Sequence, residues 1–127
     1  MSPLSVLPVS KAKAPHLAQG ELYEQLALSY LLERGLTLVV RNYRCRYGEL
    51  DLIMRECNVL VVVEVRYRKS ATFGSAVESV TRRKQSRIIT ATQCYLATHP
   101  ANCAIRFDVV AVTGNNAIEW IPNAFQT

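Results

Sequence analysis

The sequence predicts an α/β fold in one domain, its elements running helix, strand, strand, strand, helix, strand, strand. Three observations carry this. Val59 to Val65 is a β-branched run too short for a helix, and Leu50, Leu52 and Met54 alternate with Glu49, Asp51 and Ile53, so two extended segments meet at a short turn. Leu17 to Arg34 and the stretch from Thr81 to about Thr98 have helix-forming composition with boundary signals at their ends. The 127 residues suffice for one core burying roughly two thirds of the unfolded surface.

Residues 1–16 read as a loose tail: Pro3 and Pro8 interrupt a short apolar stretch, and Lys11 and Lys13 follow it, the reverse of a secretion signal. The domain proper is 17–127. Its first helix, Leu17 to Arg34, ends at Gly35 and is apolar over most of its circumference. Glu24 stands out there, because its helical neighbours at three, four and seven positions are Gly20, Ala27, Leu28 and Leu31. It is either a buried carboxylate with a partner or a rim residue with its head in solvent. Leu36 to Arg44 forms a first strand centred on Leu38-Val39-Val40, and the segment Arg41-Asn42-Tyr43-Arg44-Cys45-Arg46-Tyr47 follows its core with three arginines and two tyrosines. Arginine offers phosphate a bidentate fork and tyrosine can stack a base.

In the central hairpin a tight turn Glu56-Cys57-Asn58-Val59 makes opposed residues sum to 115, which sets Asp51 against Glu64 and Glu49 against Arg66. Two carboxylates about 5 Å apart repel by roughly 3 kcal/mol at an effective dielectric near 20. A hard divalent cation such as Mg²⁺, which takes oxygen ligands, gives such a pair a use.

Lys69 to Ala76 is a loop by composition and a mobile lip to the hairpin. The second helix has Thr81 as N-cap and places Arg82, Arg83, Lys84 and Arg87 in its first turns, where cations oppose the helix dipole. They are either phosphate ligands at a helix N-terminus or ordinary surface charges. Ala104 to Thr113 is a strand with Arg106 and Asp108 on one face, Asp108 being tied to Arg106 or to backbone; Gly114-Asn115-Asn116 turns into a short last strand, Ala117 to Ile121.

The net charge of +5 is concentrated: residues 41–87 hold eleven of the fifteen Lys/Arg against five acids. A basic surface round a carboxylate centre suits a polyanion, nucleic acid first, the alternative being a solubilising face. Cys45, Cys57, Cys94 and Cys103 have no zinc-ligand spacing and read as free buried thiols in a reducing cytoplasm; no apolar run reaches the length of a membrane span.

The order of elements, with Glu24 on the first helix, Asp51 on the second strand and Glu64-Val65-Arg66 on the third, resembles the PD-(D/E)xK nucleases. That restriction-endonuclease-like fold is a mixed central sheet flanked by helices, and the short interval from Asp51 to Glu64 is similar to that of archaeal Holliday-junction resolvases. More closely, the chain resembles the bacterial YraN-like family, uncharacterised protein family 0102. The resemblance runs from Gly20 to Phe125, through Gly48-Glu49-Leu50-Asp51-Leu52-Ile53, Val63-Glu64-Val65, Arg68, Lys84-Gln85 and Arg106-Phe107-Asp108-Val109-Val110. Two positions depart from the pattern: Tyr23 replaces a glycine, and Arg66 replaces the lysine of Glu-x-Lys. Arginine supplies charge but, with a pKa above about 12, takes no proton; Lys84 or Lys69 is available as a substitute.

The resemblance implies a Mg²⁺- or Mn²⁺-dependent endonuclease acting on DNA, including branched or structured DNA. Asp51, Glu64 and the Val65 carbonyl would hold the metal, Glu24 and Arg66 would complete the catalytic group, and Arg44, Arg46, Arg68, Lys69, Arg82, Arg83, Lys84 and Arg87 would follow the phosphates. Resolvases of this fold act as two-fold dimers, so a homodimer is among the implied partners. The alternatives are a nucleic-acid-binding protein weakened in catalysis by Arg66, and a structural domain with no nucleic-acid partner.

Overall fold

The computed structural model describes residues 15–69 and 75–127. Positions 1–14 of the expected tail and 70–74 of the expected lip lie outside the described residues. Two α-helices and five strands occur among those described: α1 (Pro15–Glu33), β1 (Thr37–Cys45), β2 (Gly48–Glu56), β3 (Val59–Arg68), α2 (Arg82–Thr98), β4 (Ala104–Thr113) and β5 (Ile118–Phe125). The strands form one sheet in chain order. β3 and β4 are parallel, joined through α2, and the other neighbours are antiparallel. It is a mixed α/β sheet.

α1 starts at Pro15, two residues before the expected Leu17, which suits a residue that lacks the N–H a first turn leaves unused. The helix closes on Gly35, at φ +97°, whose amide bonds the Leu32 carbonyl at 3.1 Å. Ala27, Leu28 and Leu31 pack with Leu52, Met54, Val61, Val63 and Val110 on one face of the sheet. On the other face Ile88, Ala91 and Tyr95 of α2 pack with Ile53, Leu60, Val62, Phe107 and Val109. The strand residues of each set alternate along β2, β3 and β4, as a sheet covered on both faces requires. Thr81 caps α2, its hydroxyl accepting from the Lys84 amide at 3.1 Å.

β5 runs to Phe125, four residues past the expected Ile121. Pro122 reads as a breaker, yet on an edge strand its missing N–H faces no neighbour. The β4–β5 register shifts between Phe107 and Val109, and Asp108 occupies the irregularity. Its Oδ1 accepts from the Asn123 amide at 2.9 Å, its Oδ2 from Trp120 Nε1 at 2.9 Å, and Arg106 grips both oxygens at 2.9 Å. Arg106 also donates to Glu56 Oε1 at 2.7 Å. Asp108 is therefore tied to both Arg106 and backbone.

The four cysteines are free, but they are not the buried thiols the sequence suggested. Cys57 is exposed because it occupies the hairpin turn at φ +52°, and the others are half-buried. No helix among the described residues is long and apolar enough to cross a membrane.

Asp108→Ala leaves the Trp120 indole and the Asn123 amide without their acceptor and Arg106 with Glu56 alone, and should lower unfolding free energy by about 3 kcal/mol. Asp108→Asn keeps an acceptor and should lose less. Urea unfolding reads both, and an Ala variant within 1 kcal/mol (~RT ln 5) of the parent would refute the assignment.

Candidate active site

β2 and β3 are laddered from Glu56/Val59 to Leu52/Val63, every pair summing to 115 as expected. Beyond that row the two strands turn to other partners. Leu50, Glu49 and Gly48 pair with Tyr43, Arg44 and Cys45 of β1, while Glu64 to Arg68 pair with Val109 to Thr113 of β4. The strands part at Asp51 and Glu64. The amide of Val65, just past the last rung, is satisfied by Asp51 Oδ2 at 2.9 Å. Gly48, at φ +148°, lets the chain enter β2 in a backbone conformation that side chains disfavour.

Just past the last rung, Asp51 and Glu64 lie close enough for the Asp51 charge to raise the Glu64 pKa. Glu64 is only 5 % exposed. Arg66 Nη1 lies 3.4 Å and Lys84 Nζ 3.8 Å from Glu64 Oε2. Arg66 spends its other nitrogen on the Ser79 carbonyl, at 3.0 Å. Glu24 leaves the buried stripe of α1 towards the same region, with Arg41 Nη2 at 3.8 Å and the Asn42 side chain as a further hydrogen-bond partner. It is the partnered carboxylate rather than the solvated one.

Burial, then the Asp51 charge, raises the pKa of Glu24. Burial also raises Asp51, against the pull of the Val65 amide. For Glu64, burial and then the Asp51 charge push the value up to about 7, and the cations Lys84 and Arg66 offset part of this. Glu64 therefore keeps its proton to a higher pH than an ordinary glutamate does.

Among the described residues no three His, Cys, Asp or Glu side chains close round one point as a complete cage. The donor set is the Asp51–Glu64 pair itself. It fits Mg²⁺, which uses one or two carboxylates and fills its remaining positions with water and substrate oxygens.

The remaining candidates are distributed unevenly. Arg44 Nε is 3.3 Å from Glu49 Oε1, so Glu49 is matched with β1 and not with Arg66: its stretch of β2 has already left β3. An open depression of about 410 Å³ is lined by Arg44, Gly48, Glu49, Lys84 and Arg87. Arg82, Arg83 and Arg87 are exposed on α2, Arg46 is exposed before β2, and Arg68 and Lys69 lie at the end of β3. Of the two lysines offered by the sequence, the structure brings Lys84 to Glu64. Arg41, Asn42 and Ser79 were not singled out. Asn42 had a signal, an asparagine inside a strand, and it adopts φ +57° opposite Asp51.

A glutamate whose folded pKa exceeds its unfolded value binds more protons when folded, so its stability contribution is present at low pH and falls as pH rises through the window. For Glu64 that window runs from the ordinary glutamate value to about 7. In chelated, metal-free buffer, Glu64→Gln should gain on the parent across that interval, by on the order of 2–3 kcal/mol at its upper end. Parallel stability-against-pH curves for the two proteins would contradict the raised Glu64 pKa.

Comparison with known proteins gives a consistent family. The profile of "Uncharacterised protein family UPF0102" matches residues 23–112. A UPF0102 protein of Saccharophagus degradans is 54 % identical over 114 residues, 88 % of this chain and 96 % of the relative. One from Nitrosomonas europaea is 51 % identical over 109 residues, covering 84 % and 92 %. One from Pectobacterium carotovorum is 50 % identical over 113 residues, covering 87 % and 95 %. The chain belongs to the uncharacterised protein family UPF0102, the YraN-like family.

Proposed function

We propose that the protein is a divalent-metal-dependent endonuclease of the PD-(D/E)xK kind, hydrolysing phosphodiester bonds in DNA. The observation that carries this reading is the Asp51–Glu64 pair, two mutually repelling acids held together at the parting of β2 and β3 with Lys84 against them. Burying two acids side by side costs stability, and a cation site explains why both are kept.

Asp51, Glu64 and the Val65 carbonyl would hold a Mg²⁺ or Mn²⁺ ion, which on binding supplies Lewis-acid activation of water and neutralisation of phosphate charge. Glu24, raised in pKa and close to Asp51, is placed to accept a proton from a water in the cleft. Lys84 brings from α2 the ammonium that the third strand lacks, and with Arg66 it would stabilise charge developing on the phosphate. Arg44, Arg46, Arg68, Lys69, Arg82, Arg83 and Arg87 would orient the flanking phosphates, with the depression between Gly48 and Arg87 as the path.

Labelled flapped or branched DNA should be cut with Mg²⁺ or Mn²⁺, and Asp51→Asn should reduce the rate by at least about 100-fold, the scale of losing one preorganised electrostatic group. Lys84→Met should act in the same direction while leaving the fold intact. Absence of cutting on every substrate with either metal overturns the proposal.

One observation favours a second reading, a binding protein with weakened chemistry: the Arg66 guanidinium is already engaged by Glu64 and the Ser79 carbonyl. In that case DNA binding persists in chelator and weakens with salt, and Arg66→Lys creates no cutting. A gain of cutting in Arg66→Lys would return the case to the first reading.

A further inference from the structure

Three tyrosines stand near the parted strands, and their surroundings differ. Tyr43 is interior, its hydroxyl 3.4 Å from Cys94 Sγ and its ring edge-on to Tyr95. Tyr67 is stacked on Tyr23 with ring centres 4.6 Å apart. Tyr47 has no aromatic neighbour of that kind among the described residues. It is 51 % exposed, and its ring has only the Arg46 guanidinium over it, at 5.5 Å, the outer limit of a cation–π contact.

Tyr47 forms one wall of a depression of about 220 Å³ whose other wall is Arg83, Ser86, Arg87 and Thr90. Those four positions fall at i, i+3, i+4 and i+7, a single strip of α2 carrying two guanidinium groups and two hydroxyls with no apolar side chain. The neighbouring strip, Ile88, Ala91 and Tyr95, is the one that enters the core. Arg87 also lines the depression that Lys84 lines, and Lys84 Nζ is 3.8 Å from Glu64 Oε2, so the Tyr47 recess lies on the same side of α2 as the carboxylate pair. The recess is smaller than the ~300 Å³ at which drug-sized pockets begin, and suits one planar ring system beside anionic groups.

Resting on the reading of the cleft as a nucleic-acid site, we infer that this recess takes one unpaired base, stacked on Tyr47 with its phosphates against Arg83 and Arg87, and that the substrate therefore has a single-stranded segment next to the bond that is cut. A paired base offers neither of its faces to a side chain, whereas an unpaired one stacks on an aromatic ring regardless of its identity.

The test is fluorescence anisotropy in chelator, where no cutting occurs, with labelled oligo-dT, oligo-rU and a blunt duplex of equal length. The parent should bind the single strands more tightly than the duplex. Tyr47→Leu should weaken single-strand binding by about 5- to 100-fold, the worth of one stacked base, with duplex binding and its salt dependence unchanged. Tyr47→Phe should bind as the parent does. Equal affinity of the parent for duplex and single strand, no measurable binding, or a Tyr47→Leu protein that folds normally by circular dichroism and binds as before, each overturns the inference. Cutting assays answer separately: cleavage without Tyr47-dependent single-strand binding removes this inference alone, and Tyr47-dependent binding without cleavage removes the nuclease reading alone.

Discussion

The hydrogen bond from the Val65 amide to Asp51 Oδ2 is the interaction on which the site depends. A sheet in which two adjacent strands separate leaves amides and carbonyls facing a gap, and buried ones must find acceptors or donors. Here a side chain takes the place of the missing rung. One carboxylate thereby closes the sheet at its last row and is fixed in position beside Glu64. Asp108 does the same at the β4–β5 irregularity, accepting the Asn123 amide where the register shifts. The two aspartates differ in what surrounds them. Asp108 is fully neutralised by a bidentate arginine, while Asp51 is set against another acid.

That contrast separates structure from chemistry within one sheet. Around Asp108 the bonds are short, and the guanidinium of Arg106 grips both of its oxygens. Around Glu64 the cations stand at 3.4 and 3.8 Å, at the outer range of ion pairing, and leave the carboxyl with a pKa near 7. Cations at such distances moderate repulsion without quenching it, and they are supplied by two different elements, β3 and α2. Of the basic residues in the first turns of α2, unfavourable for the helix dipole, Lys84 reaches Glu64, while Arg82, Arg83 and Arg87 are exposed.

Much of this arrangement is legible in the residues because it follows from local rules. The hairpin register comes from a two-residue turn and the alternation of Leu52, Met54, Val61 and Val63, so the meeting of Asp51 and Glu64 is arithmetic. The Thr81 cap and the stop at Gly35 are equally local. What local rules do not reach is where strands leave one another. Glu49 was expected against Arg66 because a ladder was extended past its end; β3 stops pairing with β2 at Leu52/Val63 while β1 pairs with it to Gly48, which leaves Arg44 as the partner of Glu49. Likewise Pro122 hid the second half of β5, since whether a strand is at an edge is a property of the whole sheet. The partners of Glu24, Arg41 and Asn42, lie on a different element and depend on the left-handed turn of Asn42.

The final closed row of the β2–β3 ladder, Leu52 with Val63, continues across β4 to Asp108, the residue whose bonds join β4, β5 and, through Arg106, the end of β2. The row adjoining the cleft is therefore also the most heavily pinned. It acts as a clamp: the end of the β2–β3 seam is held from β4 and β5 as well as by its own rungs.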